Sequence, residues 1–159
     1  GLTLSGRLER AGGEVRVRDL AGALDAWRLP GAAELGVINA EGLVFSLDEA
    51  VFDETAGCVS ASGVVRSQLL VDAGARFGAE LPVIEGVLAC AGPRLGVDAS
   101  GESAVVALEG RARLGVSGYD WVAQARGEDG EIAVAMLALG FEDDGEGWRL
   151  EGSGVYPRR

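Results

Sequence analysis

The chain has 159 residues, enough for one domain with a hydrophobic core, and its 48% apolar content excludes a disordered tail. A net charge of −11 opposes binding to phosphate backbones and to anionic membrane surfaces, so nucleic acid is not expected as a partner. With no His and no Lys, the chain has no imidazole base or ligand, no Schiff-base lysine and no phosphate-binding loop lysine. Its 26 glycines are scattered without a triplet period, which excludes collagen and suggests many tight turns.

The elements expected in chain order are mostly strands. "LTLSGRLE" places Leu2, Leu4 and Leu8 on one face and Thr3, Arg7 and Glu9 on the other. "AGG" at 11–13 reads as a turn into "EVRVRDL", where Val15 and Val17 oppose Arg16 and Arg18, so this pair reads as a hairpin. "GAAEL" at 31–35 fits one helical turn after Pro30. "GLVFSLDE" aligns Leu43, Phe45 and Leu47. "RSQLLVDAGARF" at 66–77 has the spacing of a helix face in Leu69, Leu70, Ala73 and Phe77, weakened by Gly74.

From residue 83 onward glycines recur every few residues. "VIEGVLACAG", "PRLGVDASG", "SAVVALEG" and "RARLGVSG" read as four short strands of a meander. "AVVAL" at 104–108, apolar at every position, reads as a strand covered on both faces. "YDWVAQAR" puts Tyr119, Trp121, Ala123 and Ala125 opposite Asp120, Gln124 and Arg126. "GEIAVAMLALG" reads as a short helix over 131–139, with Asp129 as N-cap, Glu131 in the first turn and Gly140 as the stop. Leu137, Met136, Leu139 and Ile132 are its candidate core residues. "WRLEGSGV" reads as the last strand, with Trp148 and Leu150 on one face.

The fold class expected is mainly β: an antiparallel curved sheet or β-roll, or a two-layer sandwich, with one or two short helices and residues 1–159 as one domain. No stretch approaches the ~20 apolar residues of a membrane span. No signal peptide is visible, and the chain starts with Gly rather than Met, which suggests that a targeting segment lies outside it.

Candidate chemistry is sparse. Asp48, Glu49, Asp53 and Glu54 offer a glycosidase-like carboxylate pair, but without clustered aromatics to hold a sugar they read as surface acids. "EDDGEG" at 142–147 has oxygen ligands for Ca²⁺ but not the spacing of an EF-hand, and reads as a turn. Trp27, Trp121 and Trp148 are either a binding platform or core. Cys58 and Cys90 have no metal partner nearby; they are either two buried thiols or a disulfide closing a loop of about 33 residues. No catalytic, cofactor-binding or metal residue is assigned, and no cofactor is expected.

Several dispersed segments resemble the periplasmic domain of the type II secretion system protein N (GspN) family. They are "LSGRL" near the start, "LDAWRLPGAAELG" at 24–36, "ELPVIEGVLACAG" at 80–92, "VALEGRARLGVSGYDW" at 106–121 and, most closely, "IAVAMLALGFEDDGEGWRLEGSGV" at 132–155. The resemblance implies a β-rich, non-enzymatic structural or interaction component of the secretion apparatus. It also implies a periplasmic location, tethering to the inner membrane by an N-terminal anchor absent from this chain, and other secretion-system proteins as partners, from the inner-membrane platform or the pseudopilus. A periplasmic address would favour a Cys58–Cys90 bridge. The rival readings are a periplasmic module that binds lipid or another hydrophobe in a β-groove, and a carbohydrate-active enzyme.

Overall fold

A computed structural model describes residues 2–25, 41–127 and 130–156. Trp27, the 31–35 turn and the Asp129 cap lie outside the described residues, and the Glu131 side chain is not described either. The described strands form one open antiparallel sheet rather than a two-layer sandwich. In chain order the elements are β1 (Leu2–Ala11), β2 (Glu14–Asp25), β3 (Glu41–Phe52), β4 (Cys58–Ser67), α1 (Leu69–Arg76), β5 (Ile84–Ala91), β6 (Arg94–Glu102), β7 (Ala107–Leu114), β8 (Gly118–Arg126), α2 (Gly130–Ala138), β9 (Glu142–Asp143) and β10 (Trp148–Val155). Each strand through β8 pairs with the one before it; β10 then pairs with β8, and β9 lies outside β10.

Antiparallel partners point to the same side of a sheet, so the register sorts the residues into two faces. One face carries Leu4, Leu8, Val17, Leu20, Phe45, Leu47, Val65, Leu88, Val97, Ala112, Trp121, Ala123, Trp148 and Leu150, following Leu8↔Val17, Leu20↔Leu47, Val97↔Ala112 and Leu150↔Ala123 across the ladders. The other face carries the Arg, Asp, Glu and Ser residues that alternate with them. The register shifts by one residue between Ser5 and Arg7 opposite β2, where Asp19 takes a positive φ of 51°, and again between Leu47 and Glu49 opposite β4. Such bulges bend and twist a strand locally while keeping the apolar set on its own side.

Two expectations about the meander are corrected. "SAVVALEG" and "RARLGVSG" are not separate strands: β7 runs straight through Gly110, which sits opposite Ala123. Residues 104–106 are not strand but the connection from β6 to β7. Ser103 holds this connection, its hydroxyl accepting from the N–H groups of Val105 and Val106. The apolar run reflects burial all the same, since Val106 and Leu108 are buried beneath the helices. A glycine within a strand often marks a close approach rather than a turn. Gly152 is such a case: a Cβ there would lie 2.8 Å from Nε1 of Trp121, so the missing side chain makes room for the indole across the strand pair.

The helices cover part of the apolar face. α1 forms despite Gly74, which is buried; a Cβ there would meet the Ala79 carbonyl at 2.5 Å, so close packing against 79–81 excludes any larger residue. Phe77 and Leu70 flank the main core, where Ile132, Ala135 and Met136 of α2 pack with Ala79, Leu81, Val106, Leu108, Ala125 and Phe141. Positions 132, 135, 136 and 139 make one helical stripe, while Val134 and Leu137 are exposed. The placement of Leu137 in the core is thereby corrected: it lies one position past the buried Met136 and turns to solvent at 61% exposure. A second, smaller cluster forms around Leu47, Ala50 and Leu88, where Gly63 separates Leu47 from Leu88 on the ladder and lets their side chains close over it.

α2 ends in a Schellman motif. The Phe141 N–H donates to the Met136 carbonyl at 2.9 Å and the Gly140 N–H to the Leu137 carbonyl at 3.0 Å, with Gly140 at φ 87°. Phe141 and Met136 are both buried in the same cluster, so the cap also fixes how the helix enters the core. Gly140→Val is expected to cost about 1–3 kcal/mol, because a β-branched residue is strained at this φ. Chemical denaturation would register it as a lower midpoint with an unchanged slope.

Candidate interaction surface

Of the sequence-nominated acids, Glu49 and Asp53 are engaged separately, one on the sheet and one in a loop, and Glu54 lies exposed beside Asp53. Glu49 lies on the polar face of β3 and accepts from Arg18 Nε at 3.0 Å, with Arg16 Nε at 3.7 Å. Asp48 sits exposed at the bulge beside it. Asp53 is in the β3–β4 loop, where one oxygen accepts from Thr55 N–H at 2.8 Å, the Thr55 hydroxyl at 2.7 Å and Gly57 N–H at 2.9 Å. Those bonds hold its carboxyl below the ordinary carboxylate range, the Thr55 hydroxyl contributing most and the two backbone donors next. The group is a loop organiser.

Its pH effect has a definite sign. A depressed folded-state pKa gives stability that is fully present above the unfolded value, near pH 4, and is lost as pH falls through the lower folded value. Asp53→Ala should therefore be less stable than the parent at pH 7, with the difference narrowing below about pH 4. Thermal melts at pH 7 and pH 3 check this.

The 142–147 segment is a turn by its bonding. Asp143 accepts from Gly145 N–H at 2.8 Å and Asp144 from Glu146 N–H at 3.0 Å, each carboxylate bonding the backbone two residues on. Trp121 and Trp148 lie half-buried on the apolar face, Trp148 against the main cluster.

Cys58 and Cys90 are joined, with Sγ atoms at 2.03 Å and Cα atoms 5.6 Å apart. Cys58 opens β4 and its N–H also donates to the Pro93 carbonyl at 2.9 Å. The β5–β6 turn is thus fastened to β4 beyond the point where their ladder ends, at Gly63↔Leu88.

The polar face is a lattice of ion pairs, cross-strand for Arg18 with Glu9 and Glu49, Arg66 with Glu85, Arg111 and Arg113 with Asp98 and Arg94 with Asp120, and within β10 for Arg149 with Glu151. Exposed pairs of this kind contribute roughly 0–1 kcal/mol each, so they define the wet face more than they stabilise it. Open depressions of about 310 and 600 Å³ lie on this face, with a further one of about 550 Å³ along Asp120, Val122, Glu151 and Ser153. The first is lined by Glu109, Arg111, Val122, Gln124 and Arg149, the second by Val64, Arg66, Glu85, Val87, Asp98 and Ser100. Val64 and Val87, paired on β4 and β5, are more than half exposed at the centre of the second. Nothing in the sequence joins these two valines, because they meet only once β4 and β5 are paired.

On the apolar face Leu4 and Leu8 of β1 stay exposed at one edge of the sheet, and the helices leave a corner open at the other. Leu114, Tyr119 and Tyr156 remain substantially exposed there, and the two tyrosine rings stand 6.0 Å apart. Among the described residues, no helix is long and apolar enough to cross a membrane.

No curated protein and no solved structure matches the chain. A family model does: type II secretion system (T2SS), protein N, matches residues 2–150. With nearly the whole chain inside that match, the protein belongs to the type II secretion system protein N family.

Proposed function

We propose that this chain is a periplasmic, non-catalytic interaction domain of the type II protein secretion apparatus. In this reading residues 1–159 act as one domain, tethered to the inner membrane by a segment outside this chain, and its partners are other proteins of the machine. The observation that carries the reading is the family match over residues 2–150. The Cys58–Cys90 pairing supports an oxidising compartment, where disulfides persist. The sheet supports a surface role: its charged face is laced with ion pairs, Glu49 and Asp98 being held by arginines and Asp53 by loop backbone.

The hydrophobe-binding alternative calls for an apolar face left free for a ligand. Over β7, β8 and β10 that place is taken by Ile132, Met136 and Phe141, which favours the interaction reading. Photocrosslinking in cells from Val87, exposed on the polar face, should capture secretion-system subunits. A crosslinker there that yields only free protein, together with acyl chains co-purifying in native mass spectrometry, would favour the alternative.

A further inference from the structure

We propose that the free edge of β10, residues 150–155, docks an extended strand of another protein that carries apolar residues at alternate positions and basic residues between them. β9 pairs only with the start of β10, Trp148 opposite Asp143 and Arg149 opposite Glu142. Beyond that, no strand among the described residues lies beside Leu150–Val155 on that side. The opposite side of the same stretch is paired throughout with β8, from Leu150↔Ala123 to Val155↔Gly118. Main-chain N–H and C=O groups alternate in direction along a strand, so half of those in 150–155 point to the open side and form a template for another chain.

The two edges of the sheet are not alike. β1, at the far edge, carries Arg7, Glu9 and Arg10, and its ladder is interrupted by the bulge at Asp19 of β2. Charges and bulges of that kind discourage strand addition. Residues 150–155 have no Pro and no bulge against β8, and their single charge, Glu151, is held by Arg149 at 2.7 Å.

The flanking side chains define the partner. On the apolar face the Trp121 ring reaches over Gly152 and the Tyr119 ring over Gly154, with Tyr156 beside it. A strand laid along β10 would place every second side chain against this aromatic wall, which selects apolar residues there. Its intervening side chains would lie beside Ser153 and the Arg149–Glu151 pair, on a chain whose net charge of −11 favours basic over acidic ones.

This deepens the interaction reading by naming the surface and the chemistry of its partner, and it can fail while that reading stands. The test uses the full-length protein and a short synthetic peptide alternating valine with arginine and threonine. Its control is the same peptide N-methylated at the valine amides, which keeps the side chains and charges but removes main-chain donors. Amide hydrogen exchange should slow tenfold or more within 150–155 on adding the first peptide, and not with the second. Tyr156→Ala, at an exposed position, should weaken the effect. Equal protection by both peptides, slowing at β1 instead, no slowing up to about 1 mM peptide, or amides on the open side of 150–155, those not bonded to β8, that are already slow in the protein alone would each overturn the proposal.

Discussion

Removing the Cys58–Cys90 bridge is expected to lower the unfolding free energy by about 3–4 kcal/mol, or roughly 10 °C in melting temperature for a chain of this size. The bond spans a sequence separation of 32, so cutting it releases a long loop in the unfolded chain. In the folded state it fastens the β5–β6 turn where the β4–β5 ladder has run out, helped by the Cys58 N–H bond to Pro93. The Cys58→Ala, Cys90→Ala double variant should unfold at the same denaturant concentration with and without reductant. The parent should fall to about that level only when reduced. A parent indifferent to reductant would show that the bridge adds nothing.

Met136→Ala is expected to destabilise by about 2–5 kcal/mol, while Leu137→Ala, one position on, should change stability by no more than about 0.5 kcal/mol. Met136 is fully buried between Ile132, Ala135 and the floor of the main cluster, and its carbonyl anchors the helix cap. Leu137 is 61% exposed and loses little on truncation. Urea titrations of the two variants side by side would decide it. Equal losses would mean that the helix is rotated by about 100° from the face described here.

The strands were legible because alternation survives wherever one face is wet. β1, β2, β8 and β10 have the faces that Leu4 and Leu8, Val15 and Val17, Trp121 and Ala123, and Trp148 and Leu150 imply. The helix before the last strand was legible from Gly140. Its rotation was not, because nearly every residue from Ile132 to Leu139 is apolar and no polar stripe marks the solvent side. The glycines misled for a related reason. Gly110 looks like punctuation, yet it lies within β7, and at Gly152, read within the last strand, the absent side chain is replaced by a ring from the neighbouring strand, which only the pairing reveals. The valine patch at Val64 and Val87 was illegible because it exists only once β4 and β5 are paired. The family was readable from dispersed segments, most of all 132–155, where the helix, the glycine stop and the acidic turn into a final strand occur together.

The central claim, that this chain works within type II secretion, is tested most directly by deleting its gene in the host and measuring where the exported enzymes of that pathway accumulate. The account expects them to be retained in the periplasm and released again when the gene is restored in trans. Unchanged secretion of every such enzyme in the deletion strain would contradict it.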